Sequence, residues 1–112
     1  MKYYCNLYLS EEYQEKKQEL IDDLEKKFFH WNQYLLVLKD EGVNQLEIFH
    51  SILLKQKVFE QEGLLVIGIA NGMDDAYAMV EKITQEVYNE TKTTELKGYL
   101  LERQREYEEG IA

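Results

Sequence analysis

The sequence predicts a single α+β domain with a two-layer mixed sheet, ferredoxin-like in outline, in the element order β-α-β-β-α-β-α-β. Two observations support this class: short apolar runs of strand length and longer amphipathic stretches between them. The 112 residues contain no proline and no Ser/Gly-rich stretch, so no linker is predicted. A chain of this length is the usual size of one domain. We expect the domain to span residues 1–102, with residues 103–112 as a charged C-terminal tail. A three-layer α/β sandwich is the alternative.

The first two elements are a strand and a helix. Residues 3–9 alternate with the period of two that is typical of a strand. Ser10 then offers a side-chain oxygen as a helix cap, and Glu11 and Glu12 place negative charge in the first helical turn. Apolar residues at helical spacing predict a helix over residues 11–28.

The next region is a strand followed by an ambiguous segment. Residues 33–38 form an apolar run of strand length, and the polar residues 39–42 predict a turn. In residues 45–61 the apolar positions fit both a strand and a helix. We predict a strand at 45–50 and a helix at 51–61. Ser51 is the expected cap of that helix, and Gly63 its stop.

The last third of the chain contains the clearest strand. Residues 64–70 are apolar on both faces, which predicts a central strand covered from two sides. Asn71 is expected to cap a helix over residues 73–89, with Asp74 at its third position. Alternating apolar residues predict a last strand at 97–102.

Charge limits the possible partners. The chain has 13 basic and 22 acidic residues and a net charge of −9. Such a field repels phosphate backbones and anionic headgroups, so we expect neither nucleic acid nor a membrane as a partner. Its apolar runs are far shorter than the ~20 residues of a membrane-spanning helix. The single cysteine, Cys5, cannot form an internal disulfide, and a lone thiol predicts a cytoplasmic protein.

The two apolar central strands also predict self-association. Because they are apolar on both faces, both faces of the sheet need cover. The long predicted helices cover one face, and the short helix at 51–61 covers only part of the other. We therefore expect a homodimer through the remaining sheet face. The expected interface residues are Tyr4, Tyr8, Ile67 and Ile69.

One turn is a candidate ligand site. Turns from a strand into a helix expose amide groups that bind ligands in many α/β proteins. Residues 68–72 match neither the dinucleotide fingerprint nor the phosphate loop, and two acidic residues follow at 74–75. Trp31 or His50 is a candidate to complete the pocket at a subunit boundary. The expected ligand residues are Gly68, Asn71, Gly72 and Asp74.

No catalytic residue, metal ligand or cofactor is predicted. His30 and His50 are the only histidines, and their spacing with Cys5 fits neither a zinc site nor a Cys–His nucleophile. Neighbouring acidic residues such as Asp22 and Asp23 point about 100° apart on a helix, so spacing alone does not make them a catalytic dyad.

The aromatic content favours an interface. Nine tyrosines, four phenylalanines and one tryptophan are present, while the first strand carries only Lys2 as a cation. Base-stacking surfaces need more basic residues, whereas aromatic residues with few charges are typical of protein interfaces. We predict a non-catalytic, self-associating binding or regulatory module. The alternative is a small ligand-binding domain or enzyme with its pocket at residues 68–75.

Overall fold

A computed structural model describes residues 1–39, 46–56 and 63–111. Within these ranges the chain forms one sheet, three α-helices and two short 3₁₀ helices. The strands are β1 (Lys2–Leu9), β2 (Gln33–Lys39), β3 (Glu47–His50) and β4 (Leu64–Asn71). The α-helices are α1 (Lys17–Glu25), α2 (Met73–Thr91) and α3 (Leu96–Glu108). The 3₁₀ helices are Glu11–Lys16 and Ser51–Lys55.

The sheet is mixed, with the strand order β1-β4-β2-β3. Strand β4 is parallel to β1 and antiparallel to β2, and β2 is antiparallel to β3. The prediction of a single α+β domain with a mixed sheet is thus confirmed. The strand order does not confirm the ferredoxin-like outline.

Strand β4 is the centre of the core, as its apolar sequence predicts. Residues 64–70 are all buried. Leu65 and Ile67 pack in one apolar cluster with α2 and α3, whereas Val66 and Ile69 pack in a second cluster with α1. Because β4 is apolar on both faces, it requires helices on both sides of the sheet.

The predicted strand at 97–102 was wrong, because these residues belong to α3. The Glu95 carboxylate caps this helix by accepting a hydrogen bond from the Gly98 N–H at 2.8 Å. The helix runs on to Glu108, past residue 103, where we expected a tail. Its buried residues lie at four-residue spacing: Leu96, Leu100 and Gln104.

Both faces of the sheet are covered by helices of the same chain. Tyr4 is 4% exposed, Ile67 and Ile69 are fully buried, and Tyr8 is half-buried with its hydroxyl bonded to Glu86. The premise that one sheet face stays open was therefore wrong. Helices lie on both faces, so the expected two-layer arrangement was wrong as well, and of the four predicted interface residues only Tyr8 keeps part of its surface exposed.

Two predicted helix caps have other roles. The Ser10 hydroxyl accepts a hydrogen bond from the Asn71 N–H at 2.7 Å, so it joins the ends of β1 and β4 and does not cap the following helix. Helix α2 starts from Gly72, without a side-chain cap from Asn71. The φ of Gly72 is 102°, a conformation that other residues rarely adopt.

The other predicted boundaries differ in part. The helix predicted at 11–28 is 3₁₀ over Glu11–Lys16 and α-helical only over Lys17–Glu25. The helix predicted from Ser51 is a 3₁₀ helix, and it is capped by His50, whose Nδ1 accepts the N–H of Ile52. The parts of the predicted elements that fall on residues 40–45 and 57–62 lie outside the described residues.

Candidate functional site

The carboxyl ends of β1 and β4 define an opening in the fold. The two strands are parallel neighbours. After β1 the chain turns to the face covered by α1, and after β4 it turns to the face covered by α2. Connections that diverge in this way leave a crevice, which is where open α/β sheets bind ligands. A cavity of about 420 Å³ lies here, and we call it the strand-end cleft.

Two elements form the walls of the strand-end cleft. One wall is the end of β1 with the 3₁₀ helix that follows it, and the other is the first half of α2. The polar and charged residues of the first wall are Ser10, Glu11, Glu12 and Gln14. Asp75 and Lys82 are their counterparts on α2, with Met79 between them.

Hydrogen bonds fix the turn that forms the first wall. The Ser10 N–H donates to the Ile69 carbonyl at 3.2 Å, which extends the pairing of β1 with β4. The Gln14 side-chain amide donates to the Leu9 carbonyl at 2.7 Å. With the bond from the Asn71 N–H to the Ser10 hydroxyl, these contacts hold the turn against the end of β4.

The strand-end cleft is acidic. Its lining includes three carboxylates, those of Glu11, Glu12 and Asp75, against the single ammonium of Lys82. Burial raises the pKa of the nearby Tyr13 hydroxyl, and the carboxylates of Glu12 and Asp75 raise it further. Carboxylates from both walls thus act on one hydroxyl, and such an environment favours a positive charge.

None of the four predicted ligand residues lines the strand-end cleft. The Asn71 side-chain oxygen accepts from the Asn32 amide at 3.3 Å, and the Gly72 N–H donates to the Asn32 carbonyl at 2.8 Å. Both residues therefore contact the start of β2. Gly68 lies behind Met79, and Asp74 is exposed. Its neighbour Asp75 is the residue of this helical turn that faces the cleft.

Trp31 and His50 lie together at the same end of the sheet. The His50 Nδ1 accepts the N–H of Ile52 at 3.1 Å, and its Nε2 lies 2.5 Å from the Trp31 carbonyl oxygen. In this pattern Nδ1 is the acceptor and Nε2 the donor. Trp31 is 87% exposed, and Phe28 and Ile52 are exposed as well. We call Phe28, Trp31 and Ile52 the aromatic corner.

The remaining candidates for chemistry are dispersed. His30 is bonded to Asp23, with 3.2 Å between the His30 Nε2 and the carboxylate, and Cys5 packs against the cluster beneath α2 and α3. Among the described residues, no three His, Cys, Asp or Glu side chains are placed to hold a metal ion. Nor does any helix in these ranges combine the length and apolarity needed to cross a bilayer.

Comparison with known proteins adds no functional information. The chain matches no protein-family model, no curated protein and no solved structure. A functional conclusion therefore has to come from the geometry of the site.

Proposed function

We propose that this protein is a non-catalytic binding module that takes a small organic cation in the strand-end cleft. The observation that carries this proposal is the placement of carboxylates on both walls of a cavity at the diverging ends of two parallel strands. Glu11 and Glu12 stand on one wall and Asp75 on the other. An ammonium group between them would meet negative charge from two sides.

The groups around the cleft are suited to binding. The Ser10 hydroxyl is buried and engaged by the Asn71 N–H, and neither His30 nor His50 lines the cavity. A serine nucleophile needs an adjacent base, and the lining gives Ser10 no histidine to serve as one. Carboxylates and one lysine remain, and these recognise charge.

The expected affinity is modest. A volume of about 420 Å³ is within the range of small-molecule sites. Glu11 and Glu12 are exposed, however, and an exposed ion pair contributes only about 0.2–1 kcal/mol. We expect a dissociation constant of about 1 mM or somewhat lower, which rises with salt as the charges are screened.

Calorimetric titration with spermidine at low salt tests the proposal. Asp75→Asn removes a carboxylate from the cleft, and we expect it to weaken binding by about twofold to fivefold. Asp74→Asn is the matched control, since it removes the same charge from the adjacent exposed position. Equal effects of the two substitutions would show that spermidine responds to net charge alone, and this would contradict a site in the cleft.

We also propose that the protein self-associates through the aromatic corner. Large exposed apolar side chains mark interaction sites where they lie close together. Trp31 is 87% exposed, Phe28 precedes it by three residues, and the His50 ring bonds both the Trp31 carbonyl and the Ile52 N–H. The expected dimer would then use the end of the sheet and not its face. The proposed setting is the cytoplasm, where the Cys5 thiol stays reduced.

Light scattering after size exclusion, over a dilution series, tests self-association. We expect Trp31→Ser to shift the protein to a monomer, because the substitution removes the most exposed aromatic ring of the corner. Tyr107→Ser is the control, since it removes an exposed ring from α3, which lies elsewhere. A wild-type protein that is monomeric at every concentration would contradict this proposal.

A further inference from the structure

A second cavity of about 420 Å³ lies between β1, α2 and α3. We call it the tyrosine cavity. Its floor is β1, and its walls are the second half of α2 and the first half of α3. Its lining includes Tyr4, Tyr8, Glu86, Glu90, Tyr99 and Arg103. Of the residues lining the two cavities, Tyr8 is common to both.

The floor is an aromatic surface. The rings of Tyr4 and Tyr8 are parallel within 4°, and their centroids are 6.3 Å apart. The Tyr8 hydroxyl donates to the Glu86 carboxylate at 3.1 Å. Burial raises the pKa of Tyr4 to about 12 and raises the pKa of Tyr8 as well, helped by Glu86. Both rings are therefore uncharged at neutral pH.

The α3 wall carries a guanidinium that contacts tyrosine. The Arg103 Nη1 donates to the Tyr99 hydroxyl at 3.4 Å, and its central carbon lies 5.7 Å from the Tyr99 ring centroid. In the described part of the chain no carboxylate forms an ion pair with Arg103, whereas Arg105 pairs with Glu102 and Glu109. Because a guanidinium has five N–H donors, Arg103 keeps donors for a ligand carboxylate.

The α2 wall carries the opposite charge. Glu86 and Glu90 are one helical turn apart and both line the cavity. Glu86 accepts the Tyr8 hydroxyl, and its carboxylate still has capacity for a further donor. The cavity therefore presents a cation on one wall, anions on the other and aromatic rings beneath.

We propose that the tyrosine cavity binds a small zwitterion with an apolar or aromatic body, of the chemical class of a free amino acid. Its carboxylate would pair with Arg103, its ammonium would lie between Glu86 and Glu90, and its side chain would rest on the tyrosine rings. Arg binds carboxylates through two parallel N–H donors, and an ammonium is attracted to the face of an aromatic ring. This site shares Tyr8 with the strand-end cleft, but its charged groups are different and it does not depend on the function proposed for the cleft.

Three probes separate the contributions of the two charges. L-phenylalanine carries both, 3-phenylpropanoate lacks the ammonium, and phenethylamine lacks the carboxylate. In calorimetric titration of the full chain, we expect saturable binding of phenylalanine and at least about tenfold weaker binding of each half-charged analogue. Equal affinities for the three probes, or no saturable binding of phenylalanine, would overturn the proposal.

Substitutions then locate the site. Arg103→Gln should weaken the binding of phenylalanine and of 3-phenylpropanoate by about tenfold and leave the binding of phenethylamine unchanged. Glu86→Gln should weaken the binding of phenethylamine and leave the binding of 3-phenylpropanoate unchanged. The control Arg105→Gln removes an exposed guanidinium two residues away on the same helix. Thermal melting checks that each variant is folded. An equal fall in phenylalanine affinity in Arg103→Gln and Arg105→Gln would overturn the assignment. Spermidine titration of the same variants tests the strand-end cleft separately.

Discussion

Gln33 and Ser51 are the residues whose hydrogen bonding is least satisfied in the described chain. Both are fully buried, and within the described ranges neither the Gln33 carboxamide nor the Ser51 hydroxyl has a hydrogen-bond partner. They flank Tyr34 and His50, which pair across β2 and β3, so both lie at the same end of the sheet. A buried polar group without a partner costs about 1–3 kcal/mol.

Replacing the Gln33 carboxamide should therefore stabilise the protein. We expect Gln33→Met to raise the free energy of unfolding by about 1–3 kcal/mol, measured by urea denaturation, because it removes the unpaired group at similar volume. Gln104→Met is the control. Gln104 is also buried, but it is bonded to the Cys5 N–H and the Tyr3 carbonyl, so this substitution should destabilise. Equal destabilisation by both would show that Gln33 is bonded in solution.

Alkaline pH tests the buried tyrosine hydroxyls. Burial, followed by the nearby Cys5 thiol, raises the pKa of Tyr4 from 10.0 to about 12. The stability from its neutral form is complete below pH 10 and is lost as the pH rises toward 12, because only the unfolded chain releases the proton there. In urea titrations, Tyr4→Phe should reduce the fall in unfolding free energy across this window by on the order of 1–2 kcal/mol. The same fall in Tyr4→Phe as in the control Tyr107→Phe would contradict this.

At the level of elements, α3 completes an edge strand that is only partly paired. The register of β1 with β4 passes from Tyr3↔Val66 to Tyr8↔Gly68, so four residues of β1 lie opposite one residue of β4. In this stretch the Gln104 side chain accepts the Cys5 N–H at 2.8 Å. A side chain of α3 thus replaces a bond that the adjacent strand does not supply.

Adjacent leucines of α3 differ in burial. Leu100 is 1% exposed in the core, whereas Leu101 is only partly buried. We expect Leu100→Ala to lower the unfolding free energy by about 2–5 kcal/mol, because it opens a cavity in the core, and Leu101→Ala to cost about 1 kcal/mol or less. Chemical denaturation of the two variants checks this. A larger cost at Leu101 would contradict the packing of α3.

The strands that consist of continuous apolar runs were predictable from the sequence, whereas α3 was not. Residues 64–70 and 33–38 are apolar enough that burial in a sheet is the natural outcome. In α3 the third buried position is Gln104, so the helical stripe has only two apolar residues. Its cap is Glu95, which is not a usual capping residue, and the local alternation around Leu100 then resembled a strand.

For the whole molecule, the misassigned element changed the predicted assembly. When residues 97–102 are interpreted as a strand, the predicted sheet has more apolar surface to bury. The helix α3, which covers part of that surface, is then missing. The predicted interface residues Tyr4 and Ile67 lie in the cluster with α2 and α3, and Ile69 lies in the cluster with α1. The inference of a dimer through the sheet face followed from this error and from a second one, which placed both long helices on the same face, whereas α1 and α2 lie on opposite faces.

The candidate site was predictable only in part for a related reason. The turn after β4 is visible in the sequence, but the pairing of β1 with β4 is not. That parallel pairing brings Ser10–Gln14 beside α2 and creates the first wall of the strand-end cleft. Long-range strand order therefore decided which residues line the site, and local patterns do not encode it.

Amide chemical shifts mapped during a spermidine titration show whether a small cation binds in the strand-end cleft. We expect saturable shifts at residues 10–14 and 75–82, with saturation at a higher spermidine concentration in Asp75→Asn but not in Asp74→Asn. Shifts spread over the acidic surface without saturation, or confined to another part of the molecule, would contradict binding in the cleft.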